Sequence, residues 1–315
     1  MASYEQAYSP SSKFTGLAEH DVERIIRRAP DTYKTYAIDK RNGKGTREIS
    51  QPAREVKILQ KALVRRLSHL PIHDAAMAYR GGISIRANAL KHAPNGPIRK
   101  YDFKDFFPSI LSYDWEAYCR ETPIFSDAED IKNSANLFFH RKKGSSVLRL
   151  AIGAPSSPWL SNVLMYKFDD AIARTVAKDR VTYTRYADDL TFSAPRTGHL
   201  TVVDKVLRRI IHELESPRLR LNDDKTVVAT TKYRRVVTGL ILANSGEVSL
   251  GRDRKRLVRA MVHRALINDL EPVLTQKILG IVAHVRSVEP DFYHRLQAHY
   301  GPDFESRIRD KPLTL

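Results

Sequence analysis

Apolar positions along the chain change period several times, and each change marks an element. In "REVKILQKALVRRLSHL", residues 54–70, Val56, Leu59, Gln60, Leu63 and Leu67 recur at three- and four-residue spacing, away from Lys57, Lys61 and Arg65. That spacing predicts an amphipathic helix. Ahead of it, "YAIDKRNGKGTREISQP" reads as two strands around the turn "RNGKG", closed by Pro52. The turn residues of "HAPNGP" precede "IRKYDFKDFFPSI", which begins as a strand and stops at Pro108, and a mixed helical region follows. "GAPSSPWLSNVLMYKFDDAIARTVAK" opens as a loop and continues as a helix. In "VTYTRYADDLTFSA", residues 181–194, apolar and polar positions alternate on both sides of Asp188 and Asp189, a hairpin pattern with the aspartates at its tip. A helix at "VVDKVLRRIIHELE", a strand at "KTVVAT", two strands around the Asn-Ser-Gly turn of "RVVTGLILANSGEVSLG" and helices from Arg252 complete the pattern. Strands and helices interleave without a fixed repeat, so an α+β core with helical appendages is expected.

Composition narrows the class. A chain of 315 residues, 42% hydrophobic, can bury the core of one large domain or of two to three lobes. Its formal charge of +17 points to a polyanionic partner, nucleic acid or an acidic membrane surface. No apolar run approaches the roughly 18 residues of a membrane span. The start "MASYEQAYSPSSKF" lacks the apolar stretch of a signal peptide, so a cytoplasmic protein without membrane partners is expected. The single cysteine, Cys119, excludes an internal disulfide, and no zinc-ligand spacing occurs. Basic charge concentrates in residues 24–66, with 13 Lys or Arg against 4 Asp or Glu.

Three Asp-Asp pairs are the candidate chemistry. Asp169 and Asp170 fall in a predicted helix beside Lys167 and Arg174, where surface ion pairing is the expectation. Asp223 and Asp224 precede Lys225 in a loop and could cap or turn the chain. Asp188 and Asp189 sit among aromatics at a hairpin tip, where a plain turn is one account. The other is a cation, since adjacent carboxylates repel and hard oxygen ligands suit Mg²⁺. Asp102, at the end of a strand, supplies a third carboxylate for such a site.

"YDFKDFFPSI", "GAPSSP" and "YADD", in this order, resemble the palm motifs of reverse transcriptases. The resemblance runs from about Tyr36 to about residue 265 and implies an α+β right-hand polymerase. Residues 1–30 would be an N-terminal helical extension, 31–100 the fingers, 101–240 the palm with an insertion near 110–150, and 241–315 a helical thumb. It implies two Mg²⁺ ions, with Mn²⁺ a possible substitute, on Asp102, Asp188, Asp189 and the backbone of Phe103. Phe107 would lie under the sugar of the incoming dNTP and obstruct a ribose 2′-hydroxyl. Lys104 and Asp105 would flank the triphosphate, Lys44 and Arg47 would grip its outer phosphates, and Lys225 would stand nearby. Phe106 is counted with this pocket, although its pattern also suits the core. Gly153 would let backbone approach the nucleotide or template. One departure is Ile152, where many relatives carry Gln, which removes an amide's hydrogen bonds.

"NALKH", Asn88 to His92, and "VTG", Val237 to Gly239, narrow the resemblance to retron reverse transcriptases. Such an enzyme binds its own structured noncoding RNA and primes from the 2′-hydroxyl of a guanosine. Its product is a branched RNA–DNA hybrid, msDNA, and the setting is anti-phage defence with a separately encoded effector. Asn88 and His92 are assigned to RNA on this basis. In "RDRKRLVRAMVHRAL", Leu257, Val258, Met261, Val262 and Ala265 have helical spacing for packing, while Arg252, Arg256, Arg259 and His263 share another face. With Arg254 and Lys255 they form a basic cluster suited to RNA phosphates. Competing readings are another compact defence-associated reverse transcriptase, a noncatalytic RNA-binding protein on the same scaffold, and a divalent-metal nuclease.

Overall fold

In a computed structural model, residues 18–40, 43 and 45–310 are described. Helix α1 (Glu19–Arg28) leads into the hairpin of β1 (Tyr33–Asp39) and β2 (Thr46–Pro52), in which Tyr36 faces Ile49 and Ile38 faces Arg47. Lys44 lies outside the described residues. Helix α2 (Arg54–Arg66) follows and buries Val56, Leu59, Gln60 and Leu63 on one face, as its periodicity predicts. Both amide protons of the buried Gln60 find partners there, Nε2 donating to the Leu137 carbonyl at 2.8 Å and to the Tyr33 hydroxyl at 2.9 Å.

After α3 (Ile85–His92), strand β3 (Ile98–Asp102) runs through the middle of a four-stranded antiparallel sheet. Residues 106–149 hold α4 (Phe106–Ser109), α5 (Ser112–Glu121), α6 (Ala128–Phe138) and the short pair β4 (His140–Arg141) and β5 (Leu148–Arg149). The helix expected after "GAPSSP" is two helices, α7 (Ser157–Leu164) and α8 (Tyr166–Ala177), broken at Met165. Strands β6 (Thr182–Tyr186) and β7 (Asp189–Ser193) form the predicted hairpin, α9 (Val203–Glu213) packs on α8, and β8 (Val227–Ala229) closes the sheet in the order β6-β7-β3-β8. Tyr183 stacks on Phe192 at 4.9 Å and Tyr101 meets the same ring edge-on at 5.9 Å. These aromatics belong to one apolar core that also takes in α1, α2 and α5 to α9.

A second core lies C-terminal to the sheet. Here β9 (Arg235–Val237), β10 (Leu240–Leu242) and β11 (Val248–Ser249) make a three-stranded sheet where two strands were expected. Thr238 and Gly239, at φ 48° and 80°, turn β9 back onto β10 between two short apolar runs that read as one strand. Helices α10 (Arg252–Ile267), α11 (Pro272–Val288), α12 (Pro290–Tyr300) and α13 (Phe304–Arg309) pack around Val237, Leu240, Val258, Val262, Val282 and Phe292. This core also takes in Ala89 of α3, Ala93 just beyond it, Ile98 of β3 and Ala229 of β8. Leu257, expected to pack, is 54% exposed, because α10 buries the stripe of Val258, Val262 and Ala265 instead.

Candidate active site

Register brings the aspartates together. Asp102 is the last residue of β3 and pairs with Asp189, the first of β7, while Asp188 occupies the turn between β6 and β7. Ala187, at φ 59°, makes that turn tight. The Phe103 amide donates to the Asp188 carbonyl at 3.1 Å, tying the end of β3 to the turn. Beyond β3, residues 220–222 continue the pairing: Lys104 N–H donates to Arg220 O and Asn222 N–H to Asp102 O, both at 2.8 Å. A single turn, Asp223–Lys225, then carries Lys225 back to the carboxylates, and its Nζ donates to Asp102 Oδ1 at 2.6 Å. Asp223 and Asp224 thus form a turn, as their composition suggested.

Burial raises the Asp188 carboxyl to about 6, and the neighbouring Asp102 and Asp189 charges push the same way. Burial likewise raises Asp189, against the pull of Lys100. Desolvated, mutually repelling carboxylates are a donor set that a hard divalent cation relieves, and the Lys225 ammonium on Asp102 is a resident positive charge in that role. Among the described residues the side chains do not close into a three-ligand cluster, so a cation here requires Asp102 and Lys225 to part. Lys225 is 53% exposed and has room to leave.

The hairpin rests on a buried ion pair that the sequence pattern does not reveal. Arg185 and Asp169 are both fully buried. The guanidinium donates to both Asp169 oxygens, Nη2 to Oδ2 at 2.6 Å and Nε to Oδ1 at 2.9 Å, and Nη1 donates to the Ala187 carbonyl at 3.2 Å. The Tyr183 hydroxyl donates to Asp169 at 2.8 Å. Asp169 is therefore no surface carboxylate: α8 turns it toward β6, while Asp170 faces outward and pairs with Arg174 at 2.9 Å as expected. The signal available in sequence was Arg185 itself, a charge on the inward-facing parity of an apolar strand.

The other assigned residues divide. Phe107 is half-buried and borders the site, with the Tyr79 ring 6.2 Å away. Phe106 belongs to the core: it stacks on Phe103 at 5.7 Å beneath the Arg185 guanidinium and presents no face to a nucleotide. The Phe103 side chain is buried too, which leaves only its backbone for the assigned role. Lys104 and Asp105 are exposed, Asp105 at φ 47° just before α4. Arg47 is exposed on β2. Gly153, at φ 122°, has no room for a Cβ, which would lie 3.0 Å from the Ser50 carbonyl and the Ile49 side chain. Ile152 accepts from Ser50 N–H at 2.8 Å, so this loop clamps β2 through backbone, which an Ile in place of Gln does not disturb.

Asn88 and His92 do not face solvent. Both are fully buried, and His92 bridges β6 and β7 through Thr184 Oγ1 and Ser193 Oγ, each at 2.7 Å. Burial lowers its pKa to about 3, keeping the ring neutral. Their assignment to RNA contact is corrected to internal positions of α3. Nothing in the fold explains the Asn88 amide, which has no hydrogen-bond partner among the described residues. On α10, Arg252, Arg254, Arg256, Arg259 and His263 are exposed, whereas Lys255 is held by Glu289 and is not a free cation.

The profile of the reverse transcriptase (RNA-dependent DNA polymerase) family matches residues 38–278. The retron Ec83 reverse transcriptase of Escherichia coli is 34% identical over 92% of this chain and 93% of its own length. The retron Ec73 reverse transcriptase of the same species is 31% identical over 87% of this chain and 89% of its own. Apo telomerase from Candida tropicalis shares the fold at a TM-score of 0.50 and 12% identity, over 88% of this chain and 61% of that one. Strand register that joins three aspartates at one sheet end, and similarity along most of the chain, lead to one conclusion: the chain belongs to the reverse transcriptase family, among the retron enzymes, and is an RNA-directed DNA polymerase.

Proposed function

We propose that this polymerase binds a cognate structured noncoding RNA and copies part of it into DNA from the 2′-hydroxyl of a guanosine within that RNA, giving a branched RNA–DNA hybrid, msDNA. The observation that carries the reading is similarity to retron reverse transcriptases over 92% of the chain, with its aspartates gathered at one sheet end. Asp102, Asp188 and Asp189, with the Phe103 carbonyl, would hold two Mg²⁺ ions, or Mn²⁺ in their place. When bound, such ions activate the attacking hydroxyl and steady the leaving phosphate. Lys225 would then release Asp102 and turn to the triphosphate of the dNTP, with Arg47, Lys44, Lys104 and Asp105 beside it. Phe107 would exclude a ribose 2′-hydroxyl. In this assignment residues 31–100 are the fingers, 101–240 the palm and 241–315 the thumb and RNA-binding region. Among the described residues no helix is long and apolar enough to cross a membrane, and a cytoplasmic complex with msDNA and a separately encoded effector in anti-phage defence is the setting we infer.

Co-expression with the RNA encoded beside the gene tests this. Nucleic acid recovered from the wild-type protein should contain DNA joined to RNA by a linkage that debranching enzyme cleaves, and the Asp188→Asn protein should carry RNA alone. Wild-type protein that extends ordinary 3′-primed templates but never yields the branched product would sink the retron reading and leave a general reverse transcriptase.

A further inference from the structure

Tyr79 is an aromatic residue with a backbone that L side chains rarely adopt, φ 61°, and it is 50% exposed. A bulky residue held in that region without burial to compensate is the kind of local strain that collects at functional sites. Glycine stands two residues on, at Gly81, so the turn had a less strained residue type at hand.

The chain before Tyr79 is rigid. Ala75, Ala76, Met77 and Ala78 are all buried. They run beside β6, where Ala76 bridges Arg185 in parallel, Arg185 N–H donates to Ala75 O at 2.7 Å and Met77 N–H to Arg185 O at 2.8 Å. Asn162 of α7 donates from Nδ2 to the Ala78 carbonyl at 2.8 Å. On the other side Arg80 folds back, donating to the carbonyls of His73 and Ala76, each at 3.3 Å. Tyr79 is thus held out from a pinned strand, an arrangement that fixes a side chain more firmly than a free loop does. Its ring lies 6.2 Å from that of Phe107, tilted by 50°. Asp188, Tyr186 and Arg47 lie within electrostatic reach of its hydroxyl. The exposed Tyr79 ring therefore neighbours the Phe107 ring, and its hydroxyl feels the charges of the aspartate turn and of Arg47 on β2.

We propose that Tyr79 is a nucleotide-positioning residue whose ring, together with that of Phe107, forms the wall against which the sugar of the incoming deoxynucleotide is held. The inference rests on the proposed placement of the nucleotide beside Phe107. Tyr79 contributes apolar surface beside the Phe107 ring, so its loss should loosen ground-state binding and sugar discrimination more than the chemical step.

Steady-state incorporation of a deoxynucleotide and its ribonucleotide should be measured for wild type, Tyr79→Ala, Phe107→Ala and the double variant, with RNA binding as the check on folding. Tyr79→Gly, which removes the ring and accommodates the positive φ, guards against a backbone artefact. We expect Tyr79→Ala and Tyr79→Gly to raise the deoxynucleotide KM by about three- to tenfold, the scale of one aromatic interaction, with a smaller change in kcat. Tyr79→Phe, which restores the ring, should recover most of that loss. In the double variant the Tyr79 effect should shrink, because the two rings act as one wall. If Phe107→Ala relaxes discrimination and neither Tyr79→Ala nor Tyr79→Gly moves KM or the sugar ratio, Tyr79 is no part of the pocket. If neither position matters, the placement of the nucleotide beside Phe107 falls, and the Tyr79 proposal falls with it. Full additivity of the two variants would overturn the joint wall.

Discussion

At Asp188 burial and two neighbouring carboxylates act on one group, lifting its pKa to about 6 from the ordinary 3.8. A carboxyl raised on folding favours the fold fully below the unfolded value of 3.8, and that contribution is lost as pH rises through about 6. At neutral pH the cation-free protein therefore carries an unfavourable charge at the turn between β6 and β7. Asp188→Asn removes it, so the variant should melt at a higher temperature than wild type at pH 7.5 without divalent cations, and the gap should close near pH 4. The same variant should lose DNA synthesis while retaining RNA binding, as should Asp102→Asn in the synthesis assay. Thermal melts at the two pH values and primer extension with Mg²⁺ check both halves. Near wild-type synthesis would remove Asp188 from the catalytic set, and a lower melting temperature at both pH values would show that its charge is already compensated.

The hairpin β6–β7 depends on Arg185 and Asp169, which are buried on strand and helix and satisfy their charges through each other, the Tyr183 hydroxyl and the Ala187 carbonyl. Removing one partner of such a pair costs about 3–5 kcal/mol, whereas replacing both with apolar groups of similar volume is often near neutral. Asp169→Asn and Arg185→Met should each destabilise strongly, and Asp169→Leu with Arg185→Met should regain most of the loss in denaturant melts. Polymerisation should not return with stability in that double variant, because the Arg185 bond to the Ala187 carbonyl, which steadies the aspartate turn, is gone. Full activity in the stable double variant would reduce the pair to a packing device. The position of the hairpin is plain from its period-two pattern. Its support is not, because Asp169 lies 16 residues before Arg185 on another element.

Across the whole molecule, basic charge gathers on two segments, β1–β2–α2 and α10. Arg252, Arg256 and Arg259 are exposed and share one side of α10, while Lys255 is engaged by Glu289. Changing the three arginines to Gln retains helix propensity and deletes charge. Affinity for the cognate RNA should fall, and the slope of log affinity against log salt should flatten by up to about one unit for each phosphate no longer neutralised. Binding titrations across a salt series, with an unrelated duplex as control, measure this. Equal losses on both RNAs would leave only nonspecific attraction, and an unchanged slope would mean that this face is merely solvated. Asn88 and His92 are not an alternative RNA surface, since burial removes them from any partner's reach.

Local pattern determined much of this protein. The β1–β2 hairpin, α2, β3, the aspartate hairpin, α9, β8 and the helices after Arg252 are written in period and turn residues, because amphipathic spacing and Gly, Pro, Asn and Asp act within a few residues. The motif order around Asp102, Gly153 and Asp188 likewise sufficed to place the chain in its family. Tertiary structure decided what depends on elements far apart in the chain. It buried Asn88 and His92 by inserting α3 between β6 and the second sheet, and it turned Asp169 inward by packing α8 on β6. It set Lys225 on Asp102 through pairing at 220–222, and it brought Tyr79 to Phe107 along a strand edge joined to Arg185. Charge and periodicity identify which residues can be exposed, but His92 and Asp169 are buried because distant partners, Thr184 and Ser193 for one and Arg185 and Tyr183 for the other, satisfy them, and only the folded chain supplies those partners.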